Sequence, residues 1–218
     1  MKLVHLVSDP LAESLSVNKR VSARFVDKLR SLQPGLSIEA LELDRDPPPF
    51  YDQQLFRYVW EPVADPNYTP SESERASARY MQRHAEILRA ADLLLLSAPV
   101  WNYYLPAVLK AWIDQVLSPG EMFELGARGR VPLHRIRAMV SIVSAGGRIS
   151  AEGYDRSLFH LLDATFRYAG IERQHKLLVE GQEPALYPDH AQREAEACAA
   201  AERLAAAIAQ EFSEANIS

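Results

Sequence analysis

Two kinds of apolar spacing alternate along the chain. Positions 2–8, KLVHLVS, form a short apolar run that predicts a first strand. After a turn-like DPLAES, the segment LSVNKRVSARFVDKLRSLQP repeats Val17, Val21, Phe25, Leu29 and Leu32 at three- and four-residue steps. Those steps place all five on one face of a helix, which Pro34-Gly35 ends. LSIEALELD alternates and predicts a second strand. DLLLLSAP is apolar on both sides, as a central parallel strand covered by helices must be. RAMVSIVSAGG predicts a fourth strand, and IERQHKLLVEG ends in a fifth.

Helical spacing fills the intervals. Thr69 or Ser71 can cap ESERASARYMQRHAEILRAA. PAVLKAWIDQVL follows the third strand, YDRSLFHLLDATFRYAG closes at Gly170, and a last helix runs from near Asp189 to about Phe212. About five rounds of strand and helix predict an α/β protein. Its expected core is a doubly wound, five-stranded parallel sheet with right-handed crossovers. With no compositional break and no repeat, residues 1–218 are expected to form a single domain. Two segments escape the pattern. RDPPPFYDQQLFRYVWEPVADPNYTPS reads as a long loop, too irregular for a core element and suited to function or to docking a partner. GEMFELGARGRVPLH reads as a glycine-containing excursion.

Composition narrows the function. The 218 residues are 48% hydrophobic and 24% charged, ordinary for a globular protein. A net charge of −5 without a basic run argues against nucleic acid as a partner. No apolar window reaches membrane-spanning length, and the N-terminus lacks signal-peptide features. Cys198 stands alone, which precludes an internal disulfide and suits a reducing, cytoplasmic setting. It is expected to be a small packing residue in an alanine-rich helix. The six histidines show no metal-ligand spacing, so no metal is expected.

In a doubly wound sheet, ligands bind beyond the carboxyl ends of the strands near the topological switch point. Three loops matter there. After strand one, Ser14 and Ser16 flank Leu15 at the start of a helix, where free N–H groups gather and an anion is favoured. A plain Ser helix cap is the other reading of this loop. Neither G-x-G-x-x-G nor the Walker loop is present, and serines rather than glycines point to a mononucleotide. After strand three, PVWNYY groups Trp101, Tyr103 and Tyr104 around Asn102. Such a junction offers a flat ring apolar walls and an edge of hydrogen bonds, and is an odd place for core. After strand four, Gly146 and Gly147 permit close backbone approach, or simply a turn.

Taken together, these loops resemble those of the FMN-dependent NADH-azoreductase and quinone-reductase family, of flavodoxin-like fold. The resemblance spans nearly the whole chain and is strongest in PVWNYYLPAVLKAWIDQVLSPGEMF. It implies that Ser8, Ser14, Leu15 and Ser16 hold the FMN phosphate. It further implies that Pro99, Val100, Trp101, Asn102 and Tyr103, with Ser144, Ala145, Gly146 and Gly147, hold the ring. It implies a homodimer, NADH or NADPH as co-substrate, and quinones or aromatic azo compounds as acceptors. Chemistry would occur at FMN N5, with no side chain acting as acid, base or nucleophile, and in a ping-pong order. The alternative is a flavodoxin-like electron-transfer or regulatory module that never turns over a nicotinamide. Two positions depart from the family pattern: Asp9 puts a carboxylate beside the phosphate loop, and Ala145 replaces a larger polar residue. Lys110 and Asp114, four apart on a helix, read as a solvated pair.

Overall fold

A computed structural model describes residues 1–127 and 129–214. Five strands, β1 (Lys2–Val7), β2 (Ser37–Glu42), β3 (Leu93–Pro99), β6 (Ala138–Ser144) and β7 (Gln174–Val179), form a parallel sheet in the order β2-β1-β3-β6-β7. β4 (Phe123–Gly126) and β5 (Gly129–Pro132) make a separate antiparallel hairpin. The helices are α1 (Val17–Leu32), α2 (Gln53–Ala64), α3 (Glu72–Arg89), α4 (Ala107–Val116), α5 (Tyr154–Tyr168) and α6 (His190–Glu214). The expected α/β architecture and five-stranded parallel sheet are present.

Alternation along the strands divides the core. Leu3, Leu93, Leu95, Ala138, Val140 and Ile142 face α1 and α6. Val4, Leu6, Leu94, Leu96, Met139 and Val143 face α4, α5 and the buried end of α3. Every residue of β3 from Leu93 to Ala98 is buried, which is why that strand carries no polar periodicity. On α6, Ala197, Ala201, Ala205 and Ala209 make a small-residue stripe at four-residue steps, letting the helix settle against Val21, Phe25 and Leu29 of α1. Cys198 is half-buried beside that stripe, and burial raises its thiol pKa, in keeping with a packing role.

Two expectations need correction. The segment read as an irregular loop contains α2, capped by the Asp52 side chain, which accepts from Leu55 N at 2.8 Å. Leu55 and Val59, one helical turn apart, bury against Ala78 and Met81 of α3. Prolines on both sides, and Pro62 within the helix, masked that spacing. The glycine-containing excursion is the β4–β5 hairpin. It packs Pro132 against Gly170, where an added Cβ would lie 2.4 Å from the proline ring and φ is +100°. Gly170 therefore ends α5 and admits the hairpin at once. Of the two candidate caps for α3, Ser71 makes the full capping box with Glu74.

The chain leaves β1 through α1 toward β2, then crosses back through α3 to β3 on β1's other side. The switch point thus falls between β1 and β3, and their carboxyl ends open a crevice there.

Candidate functional site

The loop after β1 is built from buried polar groups. Ser8 is fixed by its N–H, which donates to the Ser97 carbonyl at 3.0 Å. Asp9 is buried, and its Oδ1 accepts from Leu11 N at 3.0 Å, closing a tight turn. Its Oδ2 accepts from Ser16 Oγ and from Asn18 Nδ2, each at 2.7 Å. Ser16 is also the N-cap of α1, since its Oγ accepts from Lys19 N at 3.2 Å. Ser14 and Leu15 lie on an exposed single turn, with the Ser14 carbonyl taken by Arg20 at 2.9 Å. Ser16 therefore fills the cap reading in full, and its hydroxyl hydrogen is committed to Asp9.

Asn18, which sequence reasoning passed over, joins this loop to the next. Its second amide hydrogen goes to Ser144 Oγ at 3.1 Å. Ser144 also receives Val100 N on its carbonyl at 2.7 Å. One asparagine and one serine thus hold the carboxyl ends of α1's loop, β3 and β6 together. The only advance signal for Asn18 was a polar residue in the first turn of an otherwise amphipathic helix.

After β3, Trp101 and Tyr104 exchange backbone bonds of 2.8 and 3.0 Å, so that Asn102 and Tyr103 form a two-residue reversal. Both have positive φ, 50° and 63°. This is the backbone of a type I′ hairpin turn, which requires left-handed conformation at both central residues. Asn tolerates it, whereas a ring-bearing residue at the second position does so at a cost of about 1–2 kcal/mol. The rings flanking and within the turn are open to solvent: Trp101 is 48% exposed and Tyr103 62%. Tyr103 meets Tyr154, at the start of α5, with ring centroids 4.8 Å apart. Leu105 and Pro106 are buried beneath, where α4 begins. α4 is anchored by Trp112, whose indole donates to His84 Nδ1 at 3.0 Å; His84 Nε2 bonds Asp46 at 3.0 Å. On its outer face Lys110 and Asp114 form the expected exposed pair, 2.6 Å apart.

After β6, the carbonyls of Ala145, Gly146 and Gly147 accept from Gln182, Glu183 and Gly181 in the segment beyond β7. Among the described residues the Gly146 and Gly147 amides have no backbone acceptor, and a Cβ on Gly147 would meet open space. Ala145 is buried and contributes packing.

Beneath the loops, His5 Nε2 lies 2.6 Å from Ser97 Oγ, which is 2.6 Å from Ser22 Oγ. Burial, with a further push from Lys19, lowers the His5 pKa to about 4. A cavity of ≈ 620 Å³ opens on the far side of the first loop, among Leu11, Lys19, Asp27 and Arg45. It includes no residue of the second or third loop and mixes charges of both signs, so it lies apart from the crevice.

Hydrogen bonds bring Ser16, Asn18 and Ser144 together around Asp9, and Val100 joins them through the Ser144 carbonyl. Ser14 and Leu15 stay exposed on their single turn, and Trp101 and Tyr103 are exposed after β3. Among the described residues, Ser8 Oγ and Asn18 Oδ1 are buried without a hydrogen-bond partner. Unpaired buried polar atoms carry a cost unless something else satisfies them. Among the described residues no cluster of His, Cys, Asp or Glu could hold a metal ion.

Fold and crevice define an α/β protein of flavodoxin-like fold, and a family model of that description matches residues 1–205. A FMN-dependent NADH:quinone oxidoreductase 2 from Bradyrhizobium diazoefficiens is 32% identical over 201 residues, 88% of this chain and 93% of that protein. A FMN-dependent NADH:quinone oxidoreductase from Laribacter hongkongensis is 30% identical over 205 residues, 93% and 96% of the two chains. The chain belongs to this family of FMN-dependent NADH:quinone oxidoreductases. The fold is also that of a solved FMN-dependent NADH-azoreductase from Bacillus anthracis, in complex with FMN, with a TM-score of 0.80, 22% identity, and coverage of 95% of this chain and 99% of that one.

Proposed function

We propose that this chain is an FMN-dependent oxidoreductase that takes a hydride from NADH or NADPH and passes two electrons to quinones or aromatic azo compounds. The observation that carries the reading is the joining of three loops through Asn18 and Ser144 at the switch point, with Trp101 and Tyr103 exposed on the second loop and the Gly146 and Gly147 amides without a backbone acceptor on the third among the described residues. These groups fit FMN: unpartnered Ser8 and a helix start for a phosphate, amides for a ring edge, rings for its face. Bound FMN supplies the electron-transfer chemistry, and the protein contributes binding, orientation and exclusion of water.

In this reading Trp101 and Tyr103 wall one stacking place. The Gly146 and Gly147 amides donate to polar atoms at the edge of whatever ring lies there, and Asn102 can donate or accept beside them. No side chain of the site needs to move a proton. Nicotinamide and acceptor must use the stacking place in turn, so initial rates against NADH at several quinone concentrations are expected to give parallel double-reciprocal lines. Intersecting lines would mean both are bound together and would end the single-place reading. A chain that binds FMN but oxidises no NADH would be the electron-transfer module instead.

The reading includes a cytoplasmic homodimer. Phe50, Phe56 and Trp60 are exposed on and before α2, and a groove of ≈ 480 Å³ runs from Phe50 past Trp101 and Tyr104 to Asp114. Apolar patches of this kind mark interfaces. Sedimentation at micromolar concentration is expected to give the mass of two chains; a monomer with full reductase activity would refute it.

A further inference from the structure

We propose that Asp9 is an internal anion that occupies the donors of the first loop and thereby sets a weak, exchangeable grip on the flavin's 5′-phosphate. The inference rests on the flavin site proposed above. It concerns which part of the flavin provides affinity, and it makes Asp9 a determinant of selectivity between phosphorylated and unphosphorylated flavins.

The geometry is that of an anion site with its anion built in. Asp9 is only 2% exposed. Three donors from three residues point at its carboxylate: Leu11 N, Ser16 Oγ and Asn18 Nδ2, at 3.0, 2.7 and 2.7 Å. Two of these residues start α1, where a helix presents its positive end. Among the described residues no Lys or Arg forms an ion pair with Asp9. The nearby cations are engaged elsewhere, Lys19 with the Leu11 carbonyl and Arg20 with Glu194.

Two consequences follow for a phosphate at this loop. A serine hydroxyl has one hydrogen to give, and that of Ser16 is spent on Asp9. The carboxylate also repels a second anion at close range, in surroundings that screen it less than water does. What remains for the phosphate is Ser14 and the free amides of α1's first turn; Ser8 Oγ is unpartnered among the described residues but buried. The ring contacts at Trp101, Tyr103 and the glycine amides are untouched, so they carry the larger share of flavin affinity. FMN and riboflavin should then bind with dissociation constants within about tenfold of one another.

Asp9→Asn removes the charge while keeping the shape. The Asn18 amide can rotate to offer its unpartnered Oδ1 to the new donor, and Ser144 Oγ can donate to that same oxygen. The experiment titrates the full chain, freed of flavin, with FMN and separately with riboflavin, following flavin fluorescence. Asp9→Asn should tighten FMN at least tenfold and leave riboflavin within twofold. Because a purely structural role would move both ligands together, the ratio is the informative quantity. Ser16→Ala gives a second measurement, one that removes a donor to Asp9 and leaves the Asp9 charge in place. It should change the FMN-to-riboflavin ratio by less than twofold, because that hydroxyl is already spent. A wild-type preference for FMN above a hundredfold, an unchanged ratio in Asp9→Asn, or a large loss of the ratio in Ser16→Ala would each overturn the role of Asp9 while leaving the flavin site standing. If none of the proteins binds either flavin, the flavin site itself falls, and this inference with it.

Discussion

The loops after β1 and β3 stand side by side at the switch point and are built on opposite plans. The first is polar and largely bonded to itself: Ser16 and Asn18 both donate to the buried Asp9 before any ligand arrives, and Ser8 Oγ and Asn18 Oδ1 are left without a partner among the described residues. The second is exposed and strained, with Asn102 and Tyr103 held in left-handed conformation and three large rings, Trp101, Tyr103 and Tyr104, open to solvent. A loop that satisfies itself gains rigidity and gives up grip. A loop that leaves its surfaces unsatisfied needs a strong mount, and here the mount is α4. The pair shows that position at a strand end does not by itself say how much a loop contributes to binding.

The largest effect should come from the mount rather than the tip. Trp112 is fully buried and its indole satisfies His84, whereas Trp101 is half exposed. Trp112→Ala should destabilise the protein by about 3–5 kcal/mol through the cavity it leaves, and His84 loses its donor as well. Trp101→Ala should stay within about 0.5 kcal/mol of wild type while changing the relative kcat/KM of different acceptors. Urea unfolding of both variants at neutral pH checks this. A Trp101→Ala loss approaching that of Trp112→Ala would show that the ring is core, and the contrast between tip and mount would collapse.

Much of this contrast was open to sequence reasoning, though not all. The fully apolar LLLL of β3 and the helical spacing from Val17 to Leu32 were legible because a single burial pattern dominated each. The three loops were legible from their order along the chain. α2 was not, although Leu55 and Val59 sit one turn apart, because prolines and aromatics suggested irregularity and its partner face on α3 is known only in three dimensions. Ser14 and Ser16 looked equivalent from sequence. In the fold one is exposed and the other buried against Asp9, a difference fixed by where the turn at Pro10–Ala12 sends the chain. Asn18 was invisible for the same reason: its partner Ser144 lies 126 positions away.

The root of the first loop offers the next effect. His5 is held neutral in the fold, with a pKa lowered to about 4 from 6.5. Below pH 6.5 the unfolded chain takes up a proton that the folded chain refuses. Stability is therefore full above pH 6.5, declines as pH falls, and levels off below about 4, a loss of about 3 kcal/mol. Burial lowers His84, His134 and His175 as well, so they add slope of the same sign. His5→Gln can still bond Ser97 and does not titrate. Urea midpoints at pH 7 and pH 5 should fall less in His5→Gln than in wild type. An equal fall would mean that His5 becomes charged within the fold, and that the first loop rests on a looser base than its hydrogen bonds suggest.

The smallest effect separates the two uses of Asn102. At φ 50° an alanine pays the left-handed penalty that asparagine partly escapes and glycine does not feel. Asn102→Ala should therefore cost about 1 kcal/mol of stability, and Asn102→Gly no more than a few tenths. Flavin affinity should behave differently. If the amide meets the edge of the ring, both variants lose the same hydrogen bond, worth about 1 kcal/mol or roughly five- to tenfold in dissociation constant. Fluorescence titration beside urea unfolding reads both quantities on the same samples. Recovery of wild-type affinity in Asn102→Gly would reduce Asn102 to a turn residue. The second loop would then bind through its rings and main chain alone, and the polar share of the site would shift back toward the Gly146 and Gly147 amides.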